Sequence, residues 1–188
     1  SSSPRPSITA RNARRAAAAR GEPEGRADET PAGSALGGFY DALVMAVVRP
    51  PRFEYDPRLL GPSSFVFGGR RFHRSDVVLE NERGLRLHGS HWRPASNNEG
   101  RAPCVVFVHA NSASRAQSCH YLSLVLGLGC SLFAFDCAGS GGSDGAFVTL
   151  GYREARDLRT VLEHLAERPD VSEVALWGQS MGAAAALY

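Results

Sequence analysis

Three uninterrupted apolar runs constrain this sequence more than anything else in it: Cys104-Val-Val-Phe-Val108, Ser131-Leu-Phe-Ala-Phe-Asp136 and Glu173-Val-Ala-Leu-Trp177. A strand with one wet face alternates apolar and polar residues, so a run without alternation marks a strand buried on both faces. The segments between the runs have helical spacing. Ala116 to Leu126 places Tyr121, Leu122, Val125 and Leu126 on one face. Gly151 to Arg168 repeats Ala155, Leu158, Val161, Leu162 and Leu165 at three- and four-residue steps, and Pro169 stops it. Gly182 to Leu187 opens another helix. Buried strands alternating with helices build βαβ units with right-handed crossovers, so the class is α/β.

Upstream the pattern differs. Ser75 to Glu80 and Leu85 to Trp92, with Gly84 between them, predict an antiparallel hairpin. Residues 36–64 read as a lead-in. A short helix begins near Phe39 and ends at Pro50-Pro51, and an ordered stretch runs from Phe53 to Leu60. Residues 1–35 are rich in Arg, Ala, Ser and Pro and poor in large apolar side chains. They cannot bury enough surface to offset their ordering entropy, which predicts a disordered tail. The first 20 residues hold Arg5, Arg11, Arg14, Arg15 and Arg20 and no acid, the composition of an organelle transit peptide and equally of a plain basic tail. The folded domain is then expected over residues 65–188.

Charge and cysteine usage exclude several classes. The 188 residues carry 21 basic groups, all arginine, against 19 acidic ones, a net charge of +2. That near balance argues against a dedicated nucleic-acid surface. The apolar stretch Ala42 to Val48 falls far short of the roughly 20 residues that span a bilayer, so no membrane span is expected. Cys104, Cys119, Cys130 and Cys137 match no zinc spacing and are too sparse for a disulfide framework. Reduced, mostly buried thiols in a cytoplasmic protein, with no metal and no cofactor, are the expectation, and organelle targeting by the N-terminus is the alternative.

The residues that could carry chemistry follow the apolar runs. Gly178-Gln-Ser180-Met-Gly182 is a G-x-S-x-G lying directly between the third strand and a small-residue helix. A strand turning sharply into a helix strains its serine and needs neighbours without bulk, which Gly178 and Gly182 are. Ser180 then sits where free N–H groups favour negative charge. After the first strand comes His109-Ala110-Asn111-Ser112, and after the second Asp136-Cys-Ala-Gly139-Ser-Gly141-Gly-Ser143. The glycines of this last loop are not a dinucleotide fingerprint, because position 144 is Asp and no helix opens there.

These three elements, in this order and spacing over residues 65–188, resemble the α/β-hydrolase superfamily, closest to its serine aminopeptidase S33-like and Bem46-like members. The resemblance implies a mostly parallel sheet with an N-terminal antiparallel hairpin. It implies a serine hydrolase of ester or thioester bonds, acting on a small acyl substrate or an acylated protein. Ser180 would be the nucleophile, the Met181 N–H one oxyanion donor, and the loop at Ala110 or Asn111 the other. The family's usual glycine is Ala110 here, which matters if that position needs a positive φ. His109 reads as a structural loop histidine rather than a base. Asp136 is a catalytic acid or a brace for its loop, bracing being the commoner role in this fold.

A serine nucleophile also needs a base and an acid to orient it, which in this fold follow the serine in the order acid, then His. All six histidines, at 73, 88, 91, 109, 120 and 164, precede Ser180, and the eight residues after it contain no acid. The expectation is an N-terminal fragment, incomplete at the C-terminus, with about 80–120 residues still to come by the usual domain size. The competing readings are a non-catalytic α/β-hydrolase-fold binding module and, from the basic tail alone, a membrane or nucleic-acid binder. The sequence sets neither the acyl group nor the oligomeric state.

Overall fold

A computed structural model of the protein describes residues 35–49, 51–95 and 100–188. The expected tail, residues 1–35, lies outside the described residues save for Ala35. All six strands belong to one compact unit, Phe39–Tyr188.

Helix α1 spans Ala35–Val48, and a single 3-10 turn follows at Pro57–Leu60. The strands are β1 (Ser64–Phe67), β2 (Arg70–Glu80), β3 (Arg86–Pro94), β4 (Ala102–Val108), β5 (Ser131–Phe135) and β6 (Val171–Gly178). They form one sheet in the order β1-β2-β3-β5-β4-β6. The β2–β3 hairpin is antiparallel, pairing Glu80 with Arg86 and Phe72 with Pro94. β3 runs antiparallel to β5, whereas β4 lies parallel to both β5 and β6.

Burial explains the apolar runs. β5 is buried at every residue. Its Phe133 and Phe135 join Val106, Leu158, Val161 and Leu165 on one side of the sheet. Leu132 and Ala134 join Phe107, Trp92, Phe72 and Leu126 on the other. The first side is covered by α3 (Tyr152–Ala166) and α4 (Met181–Leu187), the second by α2 (Leu122–Gly127). Among the described residues no helix is long and apolar enough to cross a membrane.

Three expectations need amendment. The single helix expected from Ala116 to Leu126 is a 3-10 segment, Arg115–His120, followed by α2. Ser118 Oγ donates to the Arg115 carbonyl at 2.7 Å, a local bond that competes with the α-helical ladder. β1 was not expected as a strand; it pairs with β2 across a turn at Gly68-Gly69. β6 is not buried on both faces. It is an edge strand with one hydrogen-bonded neighbour, and Val174 and Leu176 are 39% and 41% exposed.

Buried polar groups tie the loops to this frame. Asp157 of α3 accepts from Asn81 Nδ2 (2.6 Å), Arg83 Nη2 (2.6 Å) and the Ala138 N–H (2.9 Å). Glu154 accepts from the Thr149 and Gly151 N–H groups, at 2.8 and 2.9 Å, and so fixes the start of α3. The four cysteines are free thiols.

His91 on β3 gives the fold a pH dependence. Burial first, and the nearby Arg168 second, push its pKa down to about 4, so the folded protein keeps it neutral. The unfolded chain binds a proton there below about pH 6.5. Stability is therefore lost as pH falls from about 6.5 towards 4, by up to about 1.4 kcal/mol per pH unit from this group. Urea unfolding between pH 7 and 5 should show that loss, and His91→Gln should flatten the slope by about one proton.

Candidate active site

β4 and β6 are parallel neighbours with Val108 opposite Gly178, so the segments that follow them leave the sheet side by side. The Gln179 N–H donates to the Val108 carbonyl at 3.1 Å. At the next residue the chain reverses: Ser180 has φ 51° and ψ −113°, and α4 begins at Met181. A non-glycine residue held in such a conformation costs about 1–3 kcal/mol and persists only where its surroundings enforce it. Here they do. A Cβ at position 182 would lie 2.6 Å from the Val108 carbonyl carbon and 2.8 Å from the His109 oxygen. One at position 178 would lie 2.5 Å from the Ala183 Cα. Both glycines are therefore required by close backbone approach.

Ser180 is exposed at the apex of this turn, while Met181 and Gly182 behind it are buried. As the first helical residue, Met181 presents an N–H with no intrahelical acceptor. Among the described residues no side chain hydrogen-bonds the Ser180 hydroxyl.

The loop after β4 is fixed from beneath. His109 is fully buried; its Nε2 accepts the Cys137 N–H at 3.0 Å, which leaves the proton on Nδ1 to donate to the Ala110 carbonyl at 2.8 Å. Burial pushes its pKa down, so the ring is neutral with both nitrogens engaged. Its geometry is that of a loop brace. Among the described non-glycine residues positive φ occurs only at Ser112, Leu150 and Ser180, so Ala110 bears no left-handed strain. The Ala110 N–H donates to Gln117 Oε1 at 3.0 Å. Asn111 is half-buried, and its Oδ1 accepts the Ser112 N–H at 2.9 Å.

Asp136 has no exposed surface and is fully occupied. Its Oδ1 accepts the Arg115 N–H at 2.6 Å; its Oδ2 accepts the Gly142 N–H at 3.0 Å and the Tyr55 hydroxyl at 2.9 Å. Burial and the adjacent Asp136 carboxylate push the Tyr55 hydroxyl pKa up, so it remains a donor. Ser143 Oγ donates to the Asp136 carbonyl and accepts the His88 N–H. Asp136 thus binds the loops after β4 and β5 together. Tyr55, from the lead-in, is a member of this network that the motifs did not reveal. Its only sequence signal is its place beside Phe53 in an otherwise polar, proline-containing stretch.

A groove of about 420 Å³ runs along the β4 loop, lined mostly by apolar groups, among them Phe53, Leu59, Ala113 and Ala116, together with Ser112. Among the described residues no three His, Cys, Asp or Glu side chains gather as a metal ligand set.

The family model described as serine aminopeptidase, S33, matches residues 101–188. Uncharacterized proteins of two Mycobacterium tuberculosis strains are 34% identical over 114 residues, covering 60% of this chain and 39% of theirs. Among solved structures, the esterase Pf2001 of Pyrococcus furiosus is similar with a TM-score of 0.58 at 26% identity. The match covers 74% of this chain and 51% of the esterase. A second crystal form of that esterase gives 0.56 at 28%. The chain thus spans about two fifths of its curated relatives and half of the esterase, and its fold is the α/β-hydrolase fold.

Two substitutions test the turn and its brace. Gly182→Ala should prevent α4 from docking on β4 and abolish the cooperative unfolding transition. Asp136→Asn keeps the shape but gives one oxygen's place to an N–H that faces N–H donors; a loss of about 3–5 kcal/mol in urea unfolding is expected.

Proposed function

We propose that this chain, which belongs to the α/β-hydrolase superfamily, carries the nucleophile and the oxyanion donors of a serine hydrolase acting on carboxylic ester or thioester bonds. The observation that carries this reading is Ser180: an exposed hydroxyl on a strained turn, φ 51°, whose strain the packing of Gly178 and Gly182 enforces. Strain at an exposed polar apex has no use in packing. It has one in catalysis, because it projects the hydroxyl clear of the sheet while keeping the next N–H beside it.

In this reading Ser180 Oγ attacks the acyl carbon and the carbonyl oxygen takes up the negative charge. The Met181 N–H is one donor to that oxygen. Ala110 is spent on Gln117, so the second donor is the Asn111 N–H. Collapse of the tetrahedral adduct expels the alcohol or thiol, protonated by the base, and leaves the acyl-enzyme; water then releases the acid. This reading assigns the base and its acid to no residue of this sequence, since Met181 to Tyr188 contain neither His nor an acid. The apolar groove beside Ser112 suits the acyl chain or leaving group. Likeness to a protein named an esterase supports an ester substrate; peptide cleavage rests on the family's description alone.

A second reading, a non-catalytic binding module, is favoured by the engagement of the Ala110 N–H. Hydrolysis of a p-nitrophenyl ester series by the intact natural protein separates the two. Ser180→Ala should lower kcat/KM by about 10⁴-fold or more. Asn111→Pro, which removes the N–H, should lower it about 100- to 1,000-fold with the circular dichroism retained. Unchanged hydrolysis in folded Ser180→Ala would contradict the assignment of the nucleophile, and no hydrolysis above background by the folded natural protein would transfer the support to the binding module.

A further inference from the structure

A groove of about 810 Å³ lies at the opposite end of the sheet from Ser180. It is lined where β4, β5 and β6 begin, by Ala102, Ser131 and the residues around Asp170, and where β3 ends, at Pro94. The eight residues of β6 separate it from the turn at Ser180. Ligands of open α/β sheets bind at the carboxyl ends of the strands, so this groove is no part of the proposed catalytic site.

Its charge is the unusual feature. Arg93, Arg101 and Arg168 converge on the short stretch Asp170-Val171. Arg168 grips Asp170 with two bonds of 2.9 Å, and Arg93 Nη1 reaches the same carboxylate at 3.2 Å. Arg101 places Nε and Nη2 on the Val171 carbonyl, at 3.1 and 2.7 Å. Two guanidinium groups thus share the Asp170 carboxylate and a third rests on the adjacent carbonyl, so among these four described side chains three positive charges face one negative charge in a concave space. Arg70 lines the same groove. Burial tends to raise Asp170, but Arg168 and Arg93 more than offset it and keep the carboxylate ionised. The excess field reaches the interior, where Arg168 adds to burial in holding both His91 and His164 below their usual pKa.

Packing gives no reason for this arrangement. One arginine satisfies Asp170 with two bonds, and each added cation repels the first. The bonds to Asp170 and Val171 fix the guanidinium planes yet use only some of each group's N–H donors. Fixed, convergent guanidinium groups with unspent donors suit a tetrahedral anion carrying several acceptor oxygens. A single carboxylate is already supplied from within the chain.

We propose that this groove binds a multiply charged phosphoryl group, with Arg93, Arg101 and Arg168 as its ligands, at a site separate from Ser180. The volume accommodates a small phosphorylated molecule of nucleotide size. The same phosphoryl chemistry could be presented by a free metabolite or by a lipid headgroup.

Calorimetric titration of the intact natural protein with inorganic pyrophosphate at fixed ionic strength tests the site. Saturable binding of one equivalent is expected. Arg101→Gln, which removes one charge and leaves the Asp170 pair intact, should weaken it about tenfold. Arg58→Gln, which alters a side chain 93% exposed elsewhere, should leave it unchanged. Co-sedimentation with vesicles containing a phosphomonoester lipid identifies the source: retention competed by pyrophosphate indicates a headgroup, and no retention a soluble ligand. Absence of saturable binding, or equal weakening by Arg101→Gln and Arg58→Gln, would overturn the proposal.

Discussion

Everything at the candidate site depends on how closely α4 approaches the end of β4. The backbone of Gly182 rests against the Val108 and His109 carbonyl groups, with no space for even one added carbon. That contact sets where α4 starts, and the distance left between β6 and α4 is too short for a relaxed connection. The strain falls on Ser180, which faces solvent at the apex of the turn. The same contact brings the β4 loop towards the serine turn, so the proposed nucleophile and the proposed oxyanion donors are set by a single packing event.

The loops at this end of the sheet are held by buried polar groups rather than by apolar packing. His109 links the β4 loop to Cys137, Asp136 links it to Gly142 and Tyr55, and Asp157 links Ala138 to the hairpin turn at Asn81. Each of these side chains is nearly or wholly buried and accepts N–H or O–H donors, so losing one strands its partners in a medium that cannot solvate them. Such a lattice holds backbone N–H groups in place without covering them. That suits a surface expected to receive charge only during a reaction.

Much of this was legible in the sequence because it rests on short-range rules. Continuous apolar runs gave β4 and β5 within two residues at each end, and the two glycines around Ser180 marked the turn. β6 was located by its run, and its exposure accords with what is expected of that run when no further strand lies beside it, because burial depends on the neighbouring strands. β1 was passed over, although Gly68-Gly69 between aromatic and arginine residues carries a hairpin signal. The break at Tyr121 depends on one side-chain bond, Ser118 to Arg115, that helical spacing does not encode. The occupation of the Ala110 N–H by Gln117 and the service of Tyr55 to Asp136, 81 residues away, are tertiary facts with no local signature. The arginine groove is of the same kind, since its three ligands are spread over 76 positions, from 93 to 168, in a chain whose overall charge nearly cancels.

The central claim is that the strained turn makes Ser180 an activated nucleophile. The most direct measurement is peptide mapping by mass spectrometry after the intact natural protein has reacted with a fluorophosphonate probe. The account predicts a single adduct on the peptide bearing Ser180, lost in Ser180→Ala and after denaturation. A folded protein that remains unmodified at Ser180 under conditions that label an ordinary serine esterase would contradict it.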